Sequence, residues 1–279
     1  PRINAAGRME TATRVVELLT TADPESAKAQ AEQLDELNTQ RRTVQEAMLN
    51  HAMRQVPQPP PPFIVVAEIE GPNWHRGVSG IVAARLRDTH NRPAAVIAIS
   101  PSGATGSARS IPEVHAVRCL ETAEDLLERF GGHPAAAGFS LQPENVAALR
   151  DRLEAAATEQ LNGQAPALIH RADAAVPVQE ADFALLRALE GLAPHGKGNP
   201  EPLLLLKGGT VRNTRLIKEK HLKGSLRAGE HSVDFIWWGG GQHRAAVDGQ
   251  EVEVLAKLGV NAWQGIERLQ LTVEDARVL

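Results

Sequence analysis

The segment from residue 24 to residue 62 constrains the fold of this chain most strongly. Asp23 and Pro24 supply an N-cap and a first-turn proline, which together begin a helix. Small and apolar residues then recur at helical steps in one narrow stripe: Ala27, Ala31, Leu34, Val44, Met48 and Ala52. Pro57 and the prolines at 59–62 end the pattern. We predict one helix over residues 24–56, roughly 50 Å long, that connects domains and is not itself a core helix.

Length and composition indicate a globular protein with more than one domain. The chain has 279 residues, of which 42% are hydrophobic and 23% charged, which suits two modest domains and a connector. The aliphatic runs, such as residues 203–206, are far too short to span a membrane, and no basic and apolar leader opens the chain. Cys119 is the single cysteine, so it forms no internal disulfide and has no metal-binding companion. We expect a cytoplasmic protein that does not bind membranes.

After the prolines, the sequence contains two regions with different patterns of predicted secondary structure. Residues 57–163 alternate between strands and helices, which predicts an α/β domain. The strands are expected at 63–69 and 94–99, and the helices at 77–88, 122–130 and 143–161. From residue 164 onward, after one helix at 180–190, the segments are short and bounded by turns. They predict strands at 203–207, 215–227, 231–238, 251–259 and 266–273, and five such strands suit a small closed barrel of the OB type.

Glycines and an arginine near the middle of the chain predict an anion pocket. Gly131 and Gly132 leave backbone N–H groups open to a close ligand, and His133 follows them directly. Upstream, Arg109 can make a bidentate contact with a phosphate. The hydroxyls of Ser107 and Ser110 flank Arg109, and in a strand only Ser107 would share its face.

Two further regions carry candidate binding residues. Trp74 and His75 precede a helix, whose N-terminus attracts anions, and Trp74 can either stack on a base or pack in the core. Between Lys207 and Arg227 stand seven basic residues and one acidic residue, although the chain as a whole has a net charge of −4. Such a segment is either a phosphate-binding stripe or a solvated edge strand. Of the adjacent pair at 237 and 238, one tryptophan is expected in the core and the other exposed, in an order that the sequence leaves open.

The order of these motifs resembles the RecJ family of single-strand-specific exonucleases over essentially the whole chain. The resemblance rests on five segments, at residues 1–8 (PRINAAGR), 73–86 (NWHRGVSGIVAARL), 106–110 (GSARS), 127–133 (LERFGGH) and 192–202 (LAPHGKGNPEP). It implies an interdomain connector helix over 1–56, a DHH-associated α/β domain over 57–163 and an OB-fold domain over 164–279. The fold class is therefore α/β plus all-β.

The resemblance also implies a function and a set of binding residues. This chain would be the substrate-gripping part of a 5′→3′ exonuclease that hydrolyses single-stranded DNA in repair and recombination, with other repair proteins as further partners. Metal-dependent hydrolysis would need a divalent ion, Mn or Mg, bound outside this chain, because the Asp-His-His motif of the family is absent here. We therefore expect no catalytic residues in this chain. The expected nucleic-acid-binding residues are Arg2, Asn4, Arg8, Trp74, His75, Ser107, Arg109, Ser110, Gly131, Gly132, His133, Arg215, Lys218, Lys220, His221 and Lys223.

Two other functions remain open at this point. DHH-superfamily phosphodiesterases act on cyclic dinucleotides or short RNA with a similar Gly-Gly-His domain, but they typically lack an appended barrel. A non-catalytic module that only recruits single strands or proteins would carry the same residues. An upstream Asp-His-His motif in the complete reading frame would favour the nuclease.

Overall fold

The computed structural model describes residues 1–263 and 265–279, and its contacts divide the chain into two units, Pro1–Leu168 and Ile169–Leu279. The first unit is α/β and the second is a β-barrel, so the predicted fold class is confirmed. The predicted domain boundaries at residues 57 and 164 stay predictions. Among the described residues, no helix has the length and apolar character needed to cross a membrane.

Three helices open the first unit: α1 (Arg2–Met9), α2 (Thr13–Thr20) and α3 (Pro24–Gln55). The Asp23 side chain accepts hydrogen bonds from two N–H groups of the first turn of α3, as expected of an N-cap. The helix predicted over residues 24–56 is therefore confirmed, whereas residues 1–23, which the resemblance placed in the same connector helix, form the separate helices α1 and α2.

The buried stripe of α3 differs in part from the predicted one. Met48 and Ala52 are fully buried against the first unit's sheet layer, whereas Ala31 is exposed and the unpredicted Leu37 is buried. The C-terminal half of α3 thus belongs to the core of the α/β unit, and this half is more than a connector.

A five-stranded sheet forms the centre of the first unit, in the order β1-β2-β3-β5-β4. Its strands are β1 (Ile64–Ile69), β2 (Ala94–Ser100), β3 (Gly103–Arg109), β4 (Leu127–His133) and β5 (Ala136–Leu141). Only β1 and β2 pair in parallel. On one face, helix α4 (Arg76–His90) packs over β2 and β3 and α3 packs on α4 and β1, whereas α5 (Ala116–Glu121) and α6 (Val146–Gln160) cover the other face. On the α4 side of the sheet, β5 and β4 are therefore left uncovered by this helix.

The helix predicted at residues 122–130 is wrong. Glu124–Leu126 make a single 3-10 turn, and the chain then runs as strand β4 into Gly131 and Gly132. Antiparallel pairing with β5 overrides the apparent helical spacing of this short segment, which also ends in two poor helix formers.

The second unit is a barrel of the OB type with one added strand. Its elements are β6 (Ala174–Pro177), α7 (Phe183–Glu190), β7 (Leu204–Ile217), β8 (His221–Ala228), β9 (His231–Trp237), α8 (Arg244–Val247), β10 (Glu251–Trp263) and β11 (Ile266–Val278). The order is β10-β11-β9-β8-β7-β6, and a further pairing of β10 with β7 closes five strands into a barrel. Strand β6 lies outside this ring, parallel to β7. Closure leaves the five barrel strands without free edges.

The single strand predicted at residues 215–227 is two strands joined by a tight turn. Lys218 and Glu219 both have positive φ, 49° and 56°, and the Lys220 N–H donates to the Ile217 carbonyl at 3.2 Å. This is the geometry of a type I′ hairpin turn. The basic segment is therefore folded back on itself, with its lysines around the tip.

Candidate nucleic-acid interface

Two rows of residues cross the open face of the first unit's sheet. In one row Arg109 of β3 pairs with Ala136 of β5, which also pairs with His133 of β4. Residues that are paired across antiparallel strands point to the same side, and strands lie about 4.8 Å apart. Arg109 and His133 therefore stand on one face, with roughly 10 Å between their backbones.

The neighbouring row is a floor almost free of side chains. Ser107 pairs with Gly138, which pairs with Gly131. A Cβ added to Gly131 would have no heavy atom within 4 Å, and one on Gly138 would meet only a backbone oxygen at 4.0 Å. As predicted for a strand, Ser107 and Arg109 share a face, because the alternate residues of β3 are buried in the core. The sheet thus offers a shallow groove between Arg109 and His133.

The Gly131–Gly132 pair serves two separate purposes. Gly132 has φ of +149°, and a Cβ there would lie 2.3 Å from the Ala136 carbonyl oxygen, so the backbone requires glycine at this position. At Gly131 no contact forbids a side chain, so there glycine only keeps the floor open. His133 follows at the exposed end of β4.

Arg109 is a half-buried cation in a cationic setting. Its Nη1 donates to the Ala108 carbonyl at 2.8 Å, and burial, followed by the charges of Arg8 and Arg87, lowers the pKa of its guanidinium. Among the described residues no carboxylate lies within ion-pair distance of Arg109. Burial and like charges both disfavour this cation, and an anionic ligand would relieve both penalties.

Two glycines of α4 bring the other parts of the site together. A Cβ on Gly80 would lie 2.7 Å from Nη2 of Arg109, so the guanidinium rests directly on the helix. A Cβ on Gly77 would lie only 1.7 Å from the Arg8 carbonyl oxygen, so α1 packs on the first turn of α4 through backbone contact. The glycines are three residues apart, which places them on one helix face. Arg8 and Arg109 are therefore held beside the N-terminal half of α4.

His75 is the N-cap of α4. Its Nδ1 accepts a hydrogen bond from the Gly77 N–H at 3.0 Å, which leaves Nε2 as the ring nitrogen that can face a ligand. Helix N-termini attract anions, and α4 is 15 residues long. His75 thus remains a candidate binding residue, at the N-terminus of α4.

Trp74 and Ser110 have structural roles. Trp74 is 2% exposed, and its indole N–H donates to the Ile97 carbonyl at 2.9 Å, so its ring belongs to the core and a base cannot stack on it. Ser110 is 4% exposed, and its hydroxyl donates to the Val114 carbonyl. Both hydrogen bonds satisfy polar atoms that would otherwise be buried without partners. We correct the expectation that these two residues bind nucleic acid.

The connector residues at the start of the chain lie on α1. Arg2 and Asn4 are exposed, and Arg2 is paired with Asp35 of α3, whose hydrogen bond and charge raise the pKa of the Arg2 guanidinium. Arg8 is half-buried beside Arg109 and Arg41 and is the connector residue closest to the groove.

In the barrel, the candidate residues surround the β7–β8 hairpin. Arg215 stands directly opposite Lys223, and Lys218 and Lys220 are exposed around the turn. His221 accepts a hydrogen bond from the Gly239 N–H at 2.9 Å through Nδ1. The strands thus present these cations on the outside of the barrel.

The two adjacent tryptophans are now distinguished. Trp237 is 8% exposed, lies in the barrel core and stacks on His243 with ring centroids 4.7 Å apart. Trp238 is 61% exposed and meets His221 edge to face at 4.8 Å. Trp238 is therefore the ring that a base could reach, beside the basic hairpin.

Sequence profiles of two families match this chain, the DHHA1 domain at residues 62–159 and the RecJ OB domain at residues 172–275. The single-stranded-DNA-specific exonuclease RecJ of Bacillus subtilis is 32% identical over 285 residues, which cover 100% of this chain and 36% of that protein. The corresponding protein of Thermus thermophilus is 36% identical over 279 residues, with 99% and 39% covered. The chain belongs to the RecJ family.

Solved structures of RecJ share the fold. The crystal structure of Thermus thermophilus RecJ in complex with Mn²⁺ has a TM-score of 0.83 at 35% identity and covers 99% of this chain and 40% of that one. The complex with Mg²⁺ also has a TM-score of 0.83. The chain thus spans between 36% and 49% of the length of these RecJ proteins and of others that it matches.

The residues of this chain do not fit the metal that the RecJ structures contain. Among the residues that the structure describes, no three His, Cys, Asp or Glu side chains are grouped so that they could hold an ion. We therefore derive no step through a metal.

Several residues in and beside the groove were missed by sequence reasoning. Gly138 was overlooked because a single glycine does not indicate a binding site until the residues paired with it on neighbouring strands are known. Arg41 was overlooked because it lies on the long helix. Its guanidinium donates to Asn38 at 3.2 Å and also to Gln45, and its pKa is lowered by burial, then by Arg42 and Arg8. The spacing of Gly77 and Gly80 was a usable signal, since two glycines on one helix face indicate close packing.

Proposed function

We propose that this chain is the substrate-gripping part of a 5′→3′ exonuclease that hydrolyses single-stranded DNA in repair and recombination. The observation that carries the proposal is the position of Arg109. It is a half-buried guanidinium without a carboxylate partner among the described residues, and it rests on Gly80 beside an open glycine floor. A phosphate is an anion whose oxygens match the planar fork of arginine.

The groove would hold one phosphate of the substrate from three sides. Arg109 would make the charge-assisted contact, Ser107 would donate its hydroxyl, and His133 would donate a ring N–H from the opposite end of the row. The floor of Gly131 and Gly138 would let the sugar or phosphate approach the backbone. Arg8 and the N-terminus of α4, capped by His75, would add positive potential.

The barrel would bind the part of the single-stranded DNA that follows that phosphate. The RecJ OB profile, the exposed Trp238 and the basic hairpin support this part of the proposal. The cations would contact the phosphate backbone, and an aromatic ring can stack on any base. Binding should therefore not depend on the DNA sequence. That other repair proteins are partners of the whole protein stays a prediction.

Hydrolysis would take place outside this chain. The RecJ crystal structures are Mn²⁺ and Mg²⁺ complexes, and we propose the same divalent metals for the whole protein. This chain would only hold the substrate in position.

The barrel distinguishes this function from its nearest rival. Phosphodiesterases of short or cyclic nucleotides need no strand-binding surface, whereas residues 172–275 match the OB domain of RecJ. We keep the single-strand exonuclease as the function.

The experiment is a comparison of two polypeptides. The chain of 279 residues and the product of the complete reading frame are each incubated with end-labelled single-stranded DNA and Mn²⁺. We expect degradation only by the longer product, and a loss of about ten- to a hundredfold in kcat/KM when it carries Arg109→Ala. Metal-dependent degradation by the rigorously purified shorter chain, abolished by Arg109→Ala, would overturn the division of roles.

A further inference from the structure

Three arginines of the first unit approach one another from three different elements. Arg109 ends β3, Arg8 lies in the last turn of α1, and Arg41 lies near the middle of α3. The charge of Arg8 lowers the pKa of the Arg109 guanidinium and also that of the Arg41 guanidinium, so Arg8 is close to both. We call these three residues the arginine row. It connects the groove on the sheet to the long helix.

The arginine row has no counter-charge nearby. Among the described residues, no carboxylate lies within ion-pair distance of Arg8, Arg41 or Arg109. Acidic residues are not scarce in this chain, which has 34 of them against 30 basic residues. Like charges that are partly buried without partners disfavour the folded state, and a bound anion would remove this penalty. An arrangement that costs stability in the free protein is typical of a binding site.

Arg41 is held in place by neutral groups of its own helix. Its Nη2 and Nε donate to Oδ1 of Asn38, at 3.2 and 3.4 Å, and its Nη1 donates to Oε1 of Gln45. Asn38 is 5% exposed, so its amide is fixed by the surrounding core. Amide oxygens orient the guanidinium without neutralising its charge. A guanidinium has five N–H groups, so part of its donors stay available for a ligand.

The contact at Arg41 is separate from the groove. Arg109 and His133 belong to strands of the sheet, whereas Arg41 belongs to α3, which packs on α1 and α4. Helix α1 is held against α4, because the Arg8 carbonyl oxygen lies where a Cβ on Gly77 would be. A phosphate in the groove and an anion at Arg41 would therefore be two different anions, with Arg8 beside both.

We propose that Arg41 and Arg8 form a second anion subsite, for the phosphate next to the one that Arg109 holds. This inference rests on the proposed function, because it assumes that a single strand enters the groove. It assigns a binding role to a residue of the long helix. Its consequence is that the charge of the second phosphate, and not only the second nucleoside, contributes to affinity.

The test uses 5′-phosphorylated dithymidylate, which has two phosphates, with a fluorescent label at its 3′ end. Its affinity for the chain of 279 residues is measured by fluorescence anisotropy without added metal. The comparison ligand is the same dinucleotide with an uncharged methylphosphonate as its internucleotide link. The wild type should bind the phosphodiester about tenfold more tightly, as expected for one charge-assisted contact. Equal affinities for the two ligands would overturn the proposal.

Two neighbouring arginines of α3 provide the variant and its control. Arg41→Ala should remove the preference for the phosphodiester and leave the affinity for the methylphosphonate unchanged. Arg42→Ala is the matched control, because Arg42 is the next residue of the same helix and is exposed. It should change the preference less than twofold. Equal effects of the two variants would show that only the general charge of α3 matters, and the subsite would be wrong.

Gln45→Glu separates the charge of Arg41 from folding. A carboxylate four residues after Arg41 can form an ion pair with it on the same helix face, so the melting temperature should be unchanged or higher. Because Arg41 would then be neutralised, the phosphodiester should bind several-fold more weakly. If Arg41→Ala melts markedly lower and its folded fraction keeps the wild-type preference, Arg41 is structural and the proposal fails.

Arg109→Ala in the same assay distinguishes the two proposals. This variant should weaken the binding of both dinucleotides, since each has a 5′ phosphate for the groove. If it does so while Arg41→Ala binds like the wild type, the second subsite fails and the proposed function stands. If only Arg41→Ala weakens binding, and only that of the phosphodiester, the subsite at Arg41 stands and the Arg109 site fails.

Discussion

The guanidinium of Arg109 lies against the backbone of Gly80, so close that a Cβ on Gly80 would be 2.7 Å from Nη2. A strand residue and a helix residue thus define one wall of the groove together. The contact explains why the helix tolerates a glycine in its interior, where alanine would be favoured by about 1 kcal/mol.

Gly80→Ala should therefore make the protein more stable and a weaker binder. The flexible Arg109 side chain can move away from the new methyl group, so folding loses little and the helix gains propensity. Displacement of the guanidinium should lower the affinity for oligothymidylate several-fold. Thermal melts and anisotropy measure the two effects on the same sample. Unchanged affinity would show that the position of Arg109 does not matter.

Gly77→Ala should instead make the protein less stable. A Cβ there would lie 1.7 Å from the carbonyl oxygen of Arg8, a backbone atom that cannot rotate away. Helix α1 must shift, at a cost on the order of 1–3 kcal/mol, as for overpacking elsewhere. We expect a lower melting temperature for Gly77→Ala than for Gly80→Ala. The reverse order would contradict the packing of α1 on α4.

Substitutions at the two neighbouring glycines of β4 should also differ, one lowering stability and the other weakening binding. Gly132→Ala must hold a side chain at φ of +149° and 2.3 Å from the Ala136 carbonyl oxygen, so it should lose at least ~1–3 kcal/mol of stability. The Cβ of Gly131→Val would meet no atom within 4 Å, so this variant should fold normally but fill the floor of the groove and weaken strand binding. Normal binding by Gly131→Val would mean that the strand does not enter the groove.

The adjacent tryptophans should differ as sharply. Trp238→Ala removes a 61% exposed ring, and the loss of stacking on one base would cost roughly 1–3 kcal/mol of binding while folding is preserved. Trp237→Ala removes a core ring and should lower the melting temperature. Phenylalanine at 238 should restore most of the affinity. If Trp238→Ala binds like the wild type, the strand passes elsewhere.

How far the sequence could predict this fold is shown by two helical segments. The helix over residues 24–56 was predictable because Asp23-Pro24 and the prolines after it mark both ends locally. The helix expected at 122–130 was wrong because β4 exists only through its pairing with β5, and a pairing partner is not visible in local spacing. The α1 and α2 helices were missed for a similar reason, since they are short and packed on α3.

The candidate site was predictable as a set of residue types, and its geometry was not. Arg109 and His133 are 24 positions apart in sequence, and the cross-strand row that unites them runs through Ala136. Trp74 was ambiguous in sequence, because an aromatic ring before a helix suits both stacking and packing. Only the hydrogen bond from its indole to Ile97 decides the matter.

Cys119 makes stability depend on pH in the alkaline range. Burial raises the pKa of its thiol to about 11, whereas an unfolded thiol titrates near ~8.5. The neutral form is favoured in the folded protein, so this contribution is complete below about pH 8.5 and is lost as the pH rises toward 11. Melting temperatures measured from pH 8 to 11 should fall more steeply for the wild type than for Cys119→Ala. Parallel curves would show that the thiol does not titrate differently in the two states.

The measurement that tests the central claim most directly is the affinity of Arg109 variants for single-stranded DNA, beside their thermal melts. Arg109→Ala should weaken binding about ten- to a hundredfold, because a charge-assisted contact is worth roughly 1.5–3 kcal/mol. Arg109→Lys should recover only part of that loss, because an ammonium keeps the charge and not the planar fork. His133→Ala should weaken binding without lowering the melting temperature. If the Arg109 and His133 variants instead melt markedly lower and their folded fractions bind normally, these residues are structural and the groove does not hold a phosphate.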